Sequence, residues 1–138
     1  MWQKEFTLSR RGKGCHLVTQ EVIREIQPGM KDVQIGMLFL FIKHTSASLT
    51  VNENYDPDVR ADMDMALDSI VPEQTLPWRH TDEGLDDSVS HTKASLIGSS
   101  ISLPITNGRL NLGTWQGIYL NEFRHLPHSR QVVATIMS

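Results

Sequence analysis

With 138 residues, a net charge of −3 and one cysteine, the chain is long enough to bury roughly two-thirds of its unfolded surface in one domain without disulfide staples. The longest apolar run, Met37 to Ile42, falls far short of the roughly twenty residues that cross a bilayer, and Lys and Arg are scattered along the chain, so neither a membrane span nor a broad basic face for nucleic acid is expected. Cys15 has no internal partner and the N-terminal segment lacks the apolar stretch of a secretory signal, so the expected setting is the reduced cytoplasm.

Trp2, Phe6 and Leu8 alternate onto one face of an opening strand, and Arg10 to Gly14 has turn composition. From Thr19, a candidate N-cap, Val22, Ile23 and Ile26 follow helical spacing until Pro28-Gly29 ends the segment. Gly36 opens the apolar run to Ile42, whose lack of alternation predicts a central strand covered on both faces. Ser46 to Asn52 alternates, with Ala47, Leu49 and Val51 toward a core.

Asp56-Pro57-Asp58 predicts a helix start, because Asp56 can cap, Pro57 suits the first position and Asp58 complements the dipole. Val59, Met63, Leu67 and Ile70 carry that helix to Pro72. Val71 to Ser90 shows no sustained period and predicts a long surface loop. Ile101, Leu103 and Ile105 alternate up to Asn107-Gly108, the preferred sequence of a tight type I′ turn. Gly113 to Leu120 and Gln131 to Met137 supply the last strands, so the order of elements predicts an antiparallel sandwich or barrel carrying two helices.

Two histidine-bearing polar segments hold the candidate chemistry. His44 follows the central strand, and Asn52, Glu53, Asn54 and Asp56 crowd the end of the next one; they can share a pocket with His44 only if the chain turns near Thr45-Ser46, and they also suit a plain turn and helix cap. His80 and His91 flank an acidic stretch, where imidazoles suit a divalent metal or proton transfer, although no ligand-pair spacing singles them out from surface histidines. Asp82, Glu83, Asp86 and Asp87 suit either a hard cation or a solvated run.

Lys93 followed by Ser95, Gly98, Ser99 and Ser100 is small and polar enough to approach an anion, without the order of a P-loop. Trp115 and Tyr119 share one strand face and Gln116 the other, while Glu122 and Arg124 offer a charge pair or an anion contact. His16, His125 and His128 show no partner, and Cys15 shows no sign of a nucleophile beyond His16.

The blocks His44-Thr-Ser-Ala-Ser-Leu-Thr-Val-Asn-Glu-Asn, His91-Thr-Lys-Ala-Ser-Leu-Ile-Gly-Ser-Ser and Gly108-Arg-Leu-Asn-Leu-Gly-Thr-Trp-Gln-Gly-Ile-Tyr-Leu together resemble the YjbQ family of small bacterial and archaeal proteins over essentially the whole chain. That resemblance implies an α+β fold, a mainly antiparallel, jelly-roll-like β-sandwich with two or three short helices, assembled as a homotrimer. It also implies a proposed thiamine-phosphate synthase activity, a transfer that joins an aminopyrimidine diphosphate to a thiazole phosphate and expels pyrophosphate.

By the family pattern, His44, Glu53, Lys93 and Gln116 are candidate catalytic residues, and Asn52, Asn54, Asp56, Asp87, Glu122 and Arg124 candidate contacts to a small phosphorylated substrate. Within that set Glu53, Asp56 and Asp87 would meet magnesium, Lys93 and Arg124 the diphosphate, and Trp115 or Tyr119 a flat ring. His44, His80 and His91 also occupy family positions, which implies a zinc site with an open position. The resemblance therefore keeps a metal-dependent hydrolase and a non-catalytic metal or metabolite-binding module beside the transferase.

Overall fold

The computed structural model describes residues 1–138. In chain order it contains β1 (Trp2–Thr7), β2 (Gly14–Leu17), α1 (Thr19–Met30), β3 (Ile35–Ile42), β4 (Ala47–Glu53), α2 (Pro57–Ile70), α3 (Leu85–Ile97), β5 (Ser100–Thr106), β6 (Arg109–Leu110), β7 (Gln116–Glu122) and β8 (Gln131–Met137). The strands form two antiparallel sheets, β1-β8-β3-β5-β6 and β2-β7-β4, so the fold is the expected α+β sandwich. Asn107 and Gly108, with φ of 51° and 76°, make the tight turn between β5 and β6 that their sequence demands.

Alternation places the core. Leu38, Leu40 and Ile42 of β3 stand in register with Ile136, Ala134 and Val132 of β8, and they pack with Leu49, Ile118 and Leu120 of the smaller sheet and with Val22, Ile26 and Met30 of α1. The expectation that β3 is covered on both faces is corrected: Phe39 is 40% and Phe41 49% exposed, and Ile35 at the strand's start 84%. A strand apolar on both faces reads the same in sequence whether its second face meets its own chain or is left open.

Two helix ends also differ from the sequence reading. Thr19 does not cap α1, because its hydroxyl accepts the Ile118 N–H across the domain (2.9 Å), and the helix runs through Pro28 to Met30. The α2 start is as read: the Asp56 side chain accepts from the Asp58 N–H and Pro57 opens the helix. Its expected apolar stripe is only half-buried at Val59, Met63 and Leu67, and Ile70 is exposed.

The largest correction is α3, whose first turns occupy what reads as loop. Its inward side is Asp87, Val89, Ser90 and Lys93, mostly polar, so the apolar period that marks a helix is missing. His91, Lys93 and Ser95 consequently sit on helix rather than on pliable backbone.

One end of the sandwich is tied by a buried ion pair. Arg130 donates from Nε to Glu122 Oε1 (2.6 Å) and from Nη2 to Glu122 Oε2 and to the Ser46 hydroxyl (2.5 and 2.8 Å). Glu122 is 0% and Arg130 3% exposed. A bidentate pair of this kind is costly to break from one side, because the remaining charge stays buried. Arg130→Ala is therefore expected to lower unfolding stability by about 3–5 kcal/mol in urea titrations, and Arg130→Met with Glu122→Leu to recover most of the loss.

Candidate functional site

The N-terminal turns of α3 present Asp87 inward, 1% exposed, and three cationic or imidazole groups converge on it. His80 Nε2 lies 2.6 Å and His91 Nε2 3.1 Å from Asp87 Oδ2. Arg124 donates from Nη1 to Asp87 Oδ1 (2.6 Å) and from Nε to Asp86 Oδ2 (3.0 Å). His91 follows Asp87 by one helical turn, which aims both side chains at the same point; His80 is brought there by the loop before α3.

Burial works against the Asp87 anion, but the His80 hydrogen bond and the charges of His91 and Arg124 outweigh it and hold the carboxyl below its usual range. Asp86 is likewise lowered: burial opposes its charge, while the His125 backbone N–H and Arg124 favour it. Asp86 and Asp87 are therefore not merely solvated, whereas Asp82 and Glu83 of the same acidic stretch are exposed.

His80, Asp87 and His91 offer one ligand atom each, all within 4.8 Å of one another. The imidazole rings are 5.4 Å apart, centroid to centroid. The Thr45 carbonyl accepts a hydrogen bond from His91 Nδ1 (2.8 Å), so Nε2, which donates to Asp87 when protonated, is the nitrogen that would bind a cation once its proton is displaced. Two imidazole nitrogens and a buried carboxylate, each oriented by a partner behind it, match the donor set of a divalent zinc site that keeps a position open.

His44 is not in this group. Its Nε2 accepts the Gln131 N–H (2.8 Å), so its proton is on Nδ1. Burial first, and then the Arg130 charge, push its pKa down, which keeps it neutral. It does share with His91 a groove of about 870 Å³, lined by Phe41 to Thr45 on one side and by His91, Ala94, Ser95, Gly98 and Ser99 on the other.

The remaining expected site residues divide. Glu122 is committed to Arg130, and Arg124 to Asp86 and Asp87. Asn52, Glu53, Asn54, Asp56 and Gln116 lie at the opposite end of β4 and β7, about 20 Å from Ala47 at the strand rise of 3.4 Å. There Glu53 accepts from the Tyr55 and Asp56 N–H groups, Asn54 donates to the Thr114 and Gln116 carbonyls, and Gln116 accepts from the Gly113 N–H. These are the contacts of a turn and cap, and β4 separates them from His44. Trp115 is 62% exposed, in the turn before β7, and pairs edge-on with Tyr55 rather than sharing a face with Tyr119.

Lys93, read as a diphosphate contact, is 1% exposed. It donates to Asp68 of α2 (2.5 Å) and sits over the Phe123 ring. Asp68 also accepts from Lys13 (2.8 Å). Cys15 is buried too, and burial, then the Asp64 charge, pushes its thiol up to about 11, which leaves it no nucleophile near neutral pH. Asp68, Arg130 and the Thr45 carbonyl carried no signal in the sequence, since their roles depend on partners far away in the chain.

Residues 4–138 match the family model described as UPF0047 protein YjbQ-like. The chain is 47% identical over 137 residues to UPF0047 protein YjbQ of Escherichia coli O157:H7, covering 99% of this chain and 98% of that one. It is 38% identical over 107 residues to UPF0047 protein YugU of Bacillus subtilis, covering 75% and 77%. Among solved structures, a YjbQ/UPF0047 family protein of Clostridium acetobutylicum superposes with a TM-score of 0.83 at 38% identity over 97% of this chain and 99% of that one. A hypothetical protein of Aeropyrum pernix gives 0.87 at 27% identity over 100% and 99%.

The Lys93 contact fixes a pH dependence. Burial opposes the Asp68 anion, but hydrogen bonds from Lys13 and Lys93 hold its carboxyl below the usual aspartate value. A carboxyl depressed in the folded state stabilises above its unfolded pKa, and that contribution is lost as pH falls through the folded value. Asp68→Asn is expected to lower stability at pH 7, because Lys93 becomes an uncompensated buried cation, and to flatten the decline below about pH 4 expected of the parent chain. Urea titrations across pH 2.5 to 7, values set by the usual carboxylate range of about 4, check both effects.

Proposed function

The chain belongs to the YjbQ-like UPF0047 family, and from that premise and the convergence on Asp87 we propose that it is a metal-dependent hydrolase of a small phosphorylated molecule, with zinc held by His80, Asp87 and His91. The observation that carries this reading is the pairing of two imidazoles on one buried carboxylate while His91 Nδ1 is committed to the Thr45 carbonyl. A zinc ion bound there would polarise a phosphoryl oxygen and lower the pKa of a water beside it.

The chain's own residues supply the rest. Arg124 holds Asp87 Oδ1, so the other oxygen stays aimed at the imidazoles. His44, fixed at Nε2 by the Gln131 N–H, has only Nδ1–H to offer and donates it to an oxygen of the substrate in the groove. The sandwich wall behind His44 and the backbone of Thr45 keep both histidines in place, which is the pre-organisation that charge stabilisation requires.

Hydrolysis is favoured over the thiamine-phosphate synthase transfer on one ground. Joining two phosphorylated halves and expelling pyrophosphate needs free cations, and the two that family positions offer are taken: Lys93 by Asp68, and Arg124 by Asp86 and Asp87. The proposed assembly is a homotrimer, supported by the open apolar face of β3, where Phe39 and Phe41 stand beside Val133 and Thr135 of β8.

Purified protein is expected to carry one zinc per chain by elemental analysis. His80→Ala and His91→Ala should lose it, and His44→Ala should keep it while phosphomonoester turnover drops about 10²-fold. Zinc retained in both ligand variants would overturn the site; zinc bound with no turnover of any phosphomonoester would leave the non-catalytic binding module. Phe39→Lys should reduce the solution mass measured by light scattering to that of one chain, and an unchanged mass would remove this face as the interface.

A further inference from the structure

His80 reaches the Asp87 cluster on a strap, residues 72–84, that runs from the end of α2 to the start of α3. Pro72, Pro77 and the lack of an apolar period deny it a helix or a place in either sheet. It starts just after the buried Val71, but none of its own side chains is buried. Trp78 is half-buried, and its indole N–H donates to the Pro72 carbonyl inside the strap (3.1 Å). The Trp78 and Gly84 N–H groups likewise bond within it, to the carbonyls of Leu76 and Thr81.

Beyond the bond from the Asp87 N–H to the Gly84 carbonyl that opens α3, the strap is tied to the domain by side chains of the charged cluster. Glu73 Oε2 pairs with His125 Nε2 (3.0 Å), His80 Nε2 with Asp87 Oδ2 (2.6 Å), and the Glu83 carbonyl accepts from Arg124 Nη2 (3.0 Å). Each partner belongs to one network: Arg124 holds Asp86 and Asp87, and the His125 N–H is given to Asp86. The side chains of His80 and His125 are more than half exposed, so water weakens both pairings.

A segment without buried apolar side chains, held by exposed pairings, belongs to the part of a domain that opens locally at low cost. This one carries one of the three ligand atoms gathered at Asp87. When it swings away, Asp87 and His91 alone remain to hold an ion, and hold it less well. An ion that prefers the closed strap must favour closure by the same factor.

We infer that residues 72–84 are a metal-operated clamp: an ion between His80, Asp87 and His91 locks the strap onto α3, and without the ion the strap opens. The ion is the one proposed above for these residues, and the clamp rests on that reading; the readiness to open rests on the strap's own contacts. Because His80 leaves with the strap, release of the ion is limited by opening.

Arg79, exposed and adjacent to His80, is the only Lys or Arg between Arg60 and Lys93, so trypsin cleavage after it reads the open strap. Full-length protein is digested with and without zinc, and the fragment beginning at His80 is followed by mass spectrometry. Zinc at about ten times its dissociation constant is expected to slow the cut about tenfold, the ratio set by mass action. His80→Ala should keep the parent's stability in urea, be cut about threefold faster than the zinc-free parent as one exposed pairing is lost, and show no effect of zinc. Peptides spanning the strap with His or Ala at position 80 correct for the altered neighbour of the cut bond. His125→Ala, which frees Glu73 and removes no ligand, should still bind zinc, be cut about threefold faster with or without it, and yield it about threefold faster to a chelator.

Zinc bound with the cut unchanged, a zinc effect that survives in His80→Ala, or His125→Ala cut and stripped no faster than the parent would overturn the clamp and leave the zinc reading standing. A parent chain that binds no zinc would end that reading and the clamp with it, while a faster cut in zinc-free His80→Ala would still assign the strap's attachment to Asp87.

Discussion

A carboxylate that is 1% exposed must find donors for both oxygens or cease to be charged, and the way Asp87 meets that requirement organises the surrounding chain. One oxygen takes Arg124, which comes from the segment after β7; the other faces His80 from the preceding loop and His91 from the next turn of the same helix. Three stretches far apart in sequence are thereby drawn to one point. Asp87 lies in the first turn of α3, where the dipole also favours an anion, so the helix start and the site are stabilised by the same charge.

The same logic extends across the buried face of α3. Where an ordinary surface helix would place leucines, this one places Asp87, Ser90 and Lys93, and each needs a specific partner. Ser90 donates to the Asp86 carbonyl one turn back, and Lys93 reaches across to Asp68 of α2. Beneath them the outward face of β2-β7-β4 is polar as well, with Asn121 donating to the hydroxyls of Ser48 and Thr50. The continuous apolar core lies between the two sheets and α1, and on α3 only Val89 adds a buried apolar side chain. The helical layer is held by directional contacts, which tolerate little change in position, and that suits a layer whose task is to aim ligand atoms.

What could be read from sequence follows this division. Strands β3, β4, β5 and β8, the Asn107-Gly108 turn and the Asp56 cap of α2 are local or periodic features, and they stand where the sequence implies. The helix α3 was illegible because its period is carried by polar residues whose burial is compensated from elsewhere. The candidate site was half legible: His80, Asp87 and His91 do meet, but Asn52 to Asp56 and Gln116 do not join them, since a straight seven-residue β4 intervenes. The commitment of Lys93 to Asp68 and of Glu122 to Arg130 depends on pairings between distant segments, and residue type alone carries no record of those.

His44 shows how little of a side chain's chemistry resides in its identity. Counted with His80 and His91 it is a third imidazole; placed at the end of β3, it has one nitrogen fixed by the Gln131 N–H, which is held at the first position of β8 next to the buried Arg130. The Gln131 N–H therefore sets the tautomer of His44, while burial first and then the Arg130 charge, partly offset by Glu122, push its pKa down. A histidine so constrained is a hydrogen-bond donor into the groove and cannot exchange roles with His91, whose fixed proton is on Nδ1 and whose Nε2 faces Asp87. Two histidines on opposite walls of one groove thus differ in role: His44 keeps one N–H for the groove, while both nitrogens of His91 are engaged within the chain, by Thr45 and by Asp87.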